Sequence, residues 1–186
     1  MQKFLSAALL VSLFTLPAAA QSSYSKGQQD LHLGIGIGST LYGSGYHGVI
    51  PPISVSYEKG IKDKIGVGGY VAYASSRYDY AGYDYSWRYS YMILGARAAY
   101  HFADHFFKNP KLDTYGGIML GYNIARAKFH SDDPLVNEDL YDAPAAGGFT
   151  WSFYAGARYQ FSEKFGAFAE LGYGIAYLQA GVRMKL

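Results

Sequence analysis

Three arginines stand at equivalent places in a repeated pattern. Gly95-Ala96-Arg97 leads to Tyr100 and Phe102, Gly156-Ala157-Arg158 leads to Tyr159 and Phe161, and Gly181-Val182-Arg183 leads to Met184 and Leu186. Each arginine interrupts an alternating run whose other parity is apolar. Glu58, Asp113 and Glu170 hold the arginine-bearing parity in neighbouring runs. Guanidinium and carboxylate groups so placed form charge-assisted, often bidentate hydrogen bonds when they meet away from water. Strand adjacency sets Asp113 beside the strands of Arg97 and Arg158, and Glu170 between those of Arg158 and Arg183. The spacing predicts a sealed network of Arg97, Arg158, Arg183, Glu58, Asp113 and Glu170. Such a network specifies and fills an interior more than it stabilises it, because desolvation offsets much of the attraction.

Other residues capable of chemistry lie between the runs. His130, Ser131, Asp132 and Asp133 contain the groups of a hydrolytic triad, but nucleophile, base and orienting group must converge in space, and four consecutive loop residues read as a polar loop. The acids Asp132, Asp133, Glu138, Asp139 and Asp142 lack the central glycine of an EF-hand, so they read as a solvated loop. His101 and His105 flank a turn and make no metal motif. Gly34, Gly36 and Gly38 precede no helix and are no dinucleotide fingerprint. Catalytic, cofactor and metal sites are therefore expected to be absent. Tyr78, Tyr80, Tyr83, Tyr85 and Trp87 are the candidates for surface recognition, since tyrosine offers large contact area at low entropic cost; an interfacial aromatic girdle is the alternative use of the same residues.

The elements that position these groups are strands. Leu31, Leu33, Ile35 and Ile37 alternate with His32, Gly34, Gly36 and Gly38. The same period of two, which belongs to strands and not to helices, recurs through Ile53 to Tyr57, Ile65 to Tyr73, Met92 to Phe102, Ile118 to Ile124, Trp151 to Phe161, Ala167 to Tyr173 and Leu178 to Leu186. Eight strands are expected, at about 30–39, 49–58, 64–76, 87–102, 111–126, 148–161, 164–173 and 175–186, with end positions good to a few residues. Short links (59–63 and 162–163) alternate with long ones (39–48, 77–86 and 127–147), as in transmembrane barrels with tight turns at one end and loops at the other.

Composition says which face is inside. The chain holds 20 Tyr, 11 Phe and 23 Gly, no Cys, and only 16% charged residues. Without cysteine neither disulfides nor thiolate metal sites can form. No basic block points to nucleic acid. Lys3, the apolar run from Phe4 to Leu16, Pro17 and Ala18-Ala19-Ala20 read as an export signal, with residues 1–20 removed and 21–186 forming one barrel domain. The apolar run is shorter than the roughly 20 residues a membrane helix needs. Small residues on the non-apolar parity suit the narrow, filled lumen of eight strands. Aromatics gather at both ends of the apolar parity, with Tyr100, Phe102, Tyr159 and Phe161 at one end and Tyr73, Tyr122, Trp151 and Tyr173 at the other, as two membrane interfaces require. An all-β, eight-stranded antiparallel up-and-down transmembrane barrel follows.

The Gly-Ala-Arg strand ends, the segment Glu170-Leu171-Gly172-Tyr173-Gly174 and the C-terminus together resemble the eight-stranded outer-membrane barrels of the OmpA and OmpX type, and more closely the outer membrane protein β-barrel domain family. The likeness covers the whole chain after the export signal. Gln179, Gly181, Met184 and Leu186 are similar to the terminal signal read by the barrel-assembly machinery, although that signal often ends in Phe. The resemblance implies a Gram-negative cell envelope, outer-membrane lipids as surroundings, and a non-enzymatic role in envelope integrity with surface contacts through outer loops. A lipid A deacylase or acyltransferase on the same barrel, and a soluble periplasmic ligand-binding barrel, are the competing readings.

Overall fold

The computed structural model describes residues 24–41, 45–80, 85–103, 107, 109–131, 133 and 135–186. The proposed export signal, His105, Asp132 and Tyr83 lie outside the described residues. Eight strands follow in order: β1 (Gln29–Ser39), β2 (His47–Lys62), β3 (Ile65–Asp79), β4 (Tyr85–His101), β5 (Leu112–Ser131), β6 (Ala146–Gln160), β7 (Phe165–Gly172) and β8 (Ala176–Lys185). Each pairs antiparallel with the next, and β8 returns to β1 to close the barrel. The closing register runs from Asp30↔Lys185 to Ser39↔Ala176. In the band where all eight strands pair, closure leaves no free sheet edge, which is the condition for a sheet to sit in hydrocarbon.

Polarity is inverted relative to a water-soluble protein. Phe153 is 65% exposed whereas Arg158 is 3% exposed. One outward row crosses seven strands through Val182, Leu33, Val55, Val71, Leu94, Tyr122 and Phe149, each directly opposite the next. Inward positions carry Asp30, His32, Ser54, Ser56, Tyr70, His101, Asp113, Tyr115, Arg158, Glu170, Gln179 and Arg183, all buried. Small residues make room for the large ones: a Cβ on Gly117 would strike the ring of Tyr154, and one on Gly156 would strike Tyr115 and Glu170.

Strands β2 to β5 run further than their apolar alternation predicts. β2 continues to Lys62 where the pattern stops at residue 58, β3 reaches Asp79, β4 begins at Tyr85, and β5 extends to Ser131. The outer extensions alternate charged with aromatic residues, Arg77, Arg88 and Lys128 outward and Tyr78, Trp87 and Phe129 inward, so the outward apolar run that marks a strand stops although the ladder Tyr85↔Ser131 to His101↔Tyr115 is unbroken. Pro51 and Pro52, which lack ladder donors, sit where β2 shifts register against β3. The last outer link is tight because Thr40 donates its hydroxyl proton to the Gly174 carbonyl across the closing seam, and Ile175 beside it is buried.

The outward apolar row has a measurable consequence. Leu94→Arg sets a guanidinium in hydrocarbon and is expected to lower the unfolding free energy in lipid vesicles by about 2–4 kcal/mol, the range for a cation near the bilayer midplane. Denaturant titration of vesicle-inserted protein measures it. A loss below a few tenths of a kcal/mol would place Leu94 away from lipid.

Candidate functional site in the barrel lumen

The lumen is filled by two stacked layers of ions. Arg158 is the centre of the lower layer. From β6 it donates Nε–H to Asp113 Oδ2 at 2.7 Å, its direct cross-strand partner on β5. It donates Nη1–H across the barrel to Asp30 Oδ2 at 2.9 Å, and its Nη2 lies 3.5 Å from Glu58 Oε1. Asp30 also accepts from Arg183 Nη2 at 2.6 Å, and Arg183 donates to Gln160 Oε1 at 3.0 Å. His101 lies between Glu58 and Asp113, with ring nitrogens 2.7 and 2.8 Å from their oxygens. In the upper layer Arg97 Nη2 is 2.9 Å from both Glu170 oxygens, and Tyr115 donates to Glu170 at 2.8 Å. Three guanidiniums thus face four carboxylates, and His101 stands between two of the acids.

Aromatic rings close the remaining faces of these cations. The Arg158 guanidinium lies 4.9 Å from the Tyr24 ring and 4.7 Å from the Tyr115 ring, and that of Arg97 lies 3.7 Å from Tyr154 and 5.3 Å from Tyr70. Desolvated cation–π contacts of this kind contribute roughly 2 kcal/mol each. Tyr24 precedes β1 and is tucked into the lower mouth, stacked on His101 with centroids 3.9 Å apart. Burial, with Glu58 close by, pushes its phenol above its ordinary range. The segment around Tyr24 is tied down by Gly27 N–H to Gly60 O, Gly60 N–H to Gln28 O and Lys26 N–H to Asp63 Oδ1. Gly60 permits that approach, since a Cβ there would meet the Ser25 carbonyl. The space left beside Arg97 and Glu170 is about 20 Å³, room for one water and not for a column of them.

All six charged residues singled out from the sequence face the lumen, but two details differ from adjacency. Arg97 does not share a level with Arg158 and Arg183; it stands a layer above. Glu170 pairs across the lumen with Arg97 instead of along the sheet with Arg158 or Arg183. In so narrow a barrel, opposite walls are as close as neighbouring strands, a proximity that strand order cannot register. Asp30, His32, His101 and Tyr24 were missed. Asp30 and His32 share parity with Gly34 and Gly36 and extend the inward face of β1, so alternation alone could have found them. Tyr24 precedes any alternation and leaves no such signal.

The outer candidates resolve differently. His130 and Ser131 are consecutive in β5 and therefore point to opposite faces. His130 pairs with Glu138 at 2.8 Å, while the Ser131 hydroxyl accepts from Asp133 N–H; the two do not form a nucleophile–base pair. Glu138 and Asp142 accept from the backbone N–H groups of Ser131 and Phe129, so they fold the loop back on β5. Tyr78, Tyr80, Tyr85 and Trp87 have inward parity. They form a chain of ring contacts with Tyr46, Tyr89, Phe129 and Tyr141 at centroid spacings from 4.9 to 6.5 Å. They cap the lumen instead of forming a lipid-facing girdle. At the C-terminus Gln179 faces inward, accepting from Ser54 and donating to Tyr70. Gly181 shares its face, whereas Met184 and Leu186 have outward parity.

Comparison with known proteins bears on the same barrel. The model of the outer membrane protein β-barrel domain family matches residues 6–183. Among solved structures, OprG from Pseudomonas aeruginosa superposes with a TM-score of 0.54 at 12% identity, covering 90% of this chain and 99% of that one. Ail of Yersinia pestis, in complex with the heparin analogue sucrose octasulfate, superposes with a TM-score of 0.50 at 15% identity, covering 86% and 95%. No curated protein sequence matches.

Removing one member of an ion pair leaves the other buried and uncompensated, at a cost of about 3–5 kcal/mol, whereas replacing both by apolar groups of similar volume is near neutral. Arg97→Met is expected to destabilise the vesicle-inserted barrel by that amount, and Arg97→Met with Glu170→Met to recover most of it. Arg158→Leu is expected to lower the temperature at which the folded, fast-migrating band disappears on a heat-modifiability gel. Additive losses in the double variant, or unchanged heat stability in Arg158→Leu, would dissolve the network.

Proposed function

Because the chain belongs to the outer membrane protein β-barrel domain family, we infer that it is a non-enzymatic structural component of the outer membrane that contributes to envelope integrity and presents its outer strand extensions for contact. The observation that carries this reading is the filled lumen. Among the described residues, two layers of paired ions and four tyrosines fill the lumen, and the space beside Arg97 and Glu170 is about 20 Å³. Residues 1–20 serve as the cleaved export signal, and Gln179, Gly181, Met184 and Leu186 as the segment taken up by the barrel-assembly machinery. Ail was crystallised with a sulfated sugar analogue; surface recognition in this chain would fall to the extensions of β3, β4 and β5 with Tyr78, Tyr80, Tyr85 and Trp87.

Planar-bilayer recordings test the reading. The wild-type barrel is expected to give no stable conductance, and Tyr24→Ala with Arg158→Ala to give small, flickering currents. Large, stable openings in the wild type would replace the structural role with a pore. Mass spectra of lipid A from cells with and without the protein are expected to be identical; a changed acylation pattern would favour a lipid-modifying enzyme.

A further inference from the structure

The strand extensions carry an unusual ladder on their outward face. His47 lies directly opposite Arg77, Arg77 opposite Arg88, and Arg88 opposite Lys128. Directly opposed residues share a face of the sheet, so these four side chains form one row across β2, β3, β4 and β5. Arg77 has the same parity as Tyr73 and Val71, which places the row on the outside of the barrel. One step nearer the apolar band, Arg126 lies opposite Ser90, and Ser90 opposite Ser75. One step further down come Tyr73, Met92 and Ile124, again mutually opposite. Two residues of strand advance about 7 Å, so the cations stand within a headgroup's depth of the edge of the apolar surface.

Like charges directly opposed on a sheet repel and are destabilising. Acids offset this at two of the four positions: Asp79 pairs with Arg77 at 2.6 Å and Asp142 with Lys128 at 3.6 Å. Arg88, between them, is open. Among the described residues neither Arg88 nor Arg126 has an acidic partner, and Arg88 is exposed. Arg77, Ser86, Arg88, Lys128, His130 and Glu138 border a groove of about 230 Å³ at this place. The row ends at β5: β6 pairs with β5 only as far as Ala146↔Ala125, so no β6 residue stands opposite Arg126 or Lys128.

We propose that Arg88 and Arg126, flanked by Arg77 and Lys128, hold the phosphate of a phosphorylated lipid headgroup in the outer leaflet around the barrel. The lipid's acyl chains lie along Tyr73, Met92 and Ile124 while its phosphate supplies the counter-charge that the row lacks. Two guanidiniums without acids, the Ser90 hydroxyl between them and an apolar wall below match an anion tethered to hydrocarbon better than a free one. This assignment rests on the barrel's place in the membrane and adds to it which face binds and what chemistry it takes.

The test uses the full refolded barrel in phosphatidylcholine nanodiscs doped with a minor fraction of lipid A or of enzymatically dephosphorylated lipid A. Native mass spectrometry after release into neutral detergent counts the glycolipid retained. The wild type is expected to keep the phosphorylated form and lose the dephosphorylated one. Arg88→Ser with Arg126→Ser is expected to lose roughly fivefold in retention per cation removed, and Arg88→Lys with Arg126→Lys to keep most of it. Equal retention of the two lipids by the wild type would overturn the proposal whatever the variants do. Undiminished retention in the serine variant, or displacement of the lipid by an equal concentration of inorganic phosphate, would overturn it as well. Gel mobility of the same samples reports insertion separately, so a barrel that inserts but shows no preference sinks this site and leaves the membrane assignment standing.

Discussion

Arg158 cannot be left alone. A guanidinium with 3% of its surface exposed, in the lower lumen of a membrane-sized barrel, must be met by carboxylates or the barrel does not close around it. Asp30 comes from β1, Glu58 from β2, Asp113 from β5, and Arg183 on β8 shares Asp30. His101 from β4 bridges two of the acids. Five strands besides its own therefore supply partners to one residue and its neighbours. The network ties opposite walls together, and it joins β1 to β8 on the inside where backbone pairing joins them along the seam. Tyr24 and Tyr115 complete the enclosure by covering the faces of the cation.

The exterior obeys the opposite rule. The bilayer accepts Leu33, Val55, Val71, Leu94 and Phe153 without cost, and an ordinary water-soluble fold would have to bury them. Inversion of this kind is why the lumen can hold so many ions: the apolar residues have been drawn to the outer surface, and the interior is left to glycine, serine, tyrosine and paired charge. A filled lumen then restricts what the protein can do. Its accessible surfaces are the lipid-facing wall, the turns and the extensions of β2 to β5. Recognition is confined to them, and the basic row on the extensions is where charge has not been balanced from within.

Much of this was legible in the residues themselves. Eight alternating runs gave eight strands, and the inward parity of Arg97, Arg158, Arg183, Glu58, Asp113 and Glu170 follows from period two alone. What alternation could not convey was distance across the barrel. Glu170 pairs with Arg97 through the lumen, a contact that depends on diameter and shear and on no feature of either strand. The outer extensions of β3 and β5 were also silent, because Arg77 and Lys128 take the outward places that apolar residues hold in the band below. A tyrosine before the first strand gives no sign in the sequence that it will become the floor of the lumen.

The central claim is that hydrocarbon touches the apolar parity and that Arg97, Arg158 and Arg183 are shut away from both lipid and bulk water. Nuclear magnetic resonance on the barrel in nanodiscs containing lipids spin-labelled along the acyl chain reads both sides at once. The account predicts strong broadening of the Leu94, Val71 and Ile118 methyl signals, with the Nε–H signals of Arg158 and Arg97 unbroadened and slow to exchange with water. Arg158 or Arg97 signals quenched by the labelled lipid, or exchanging freely with solvent, would contradict it.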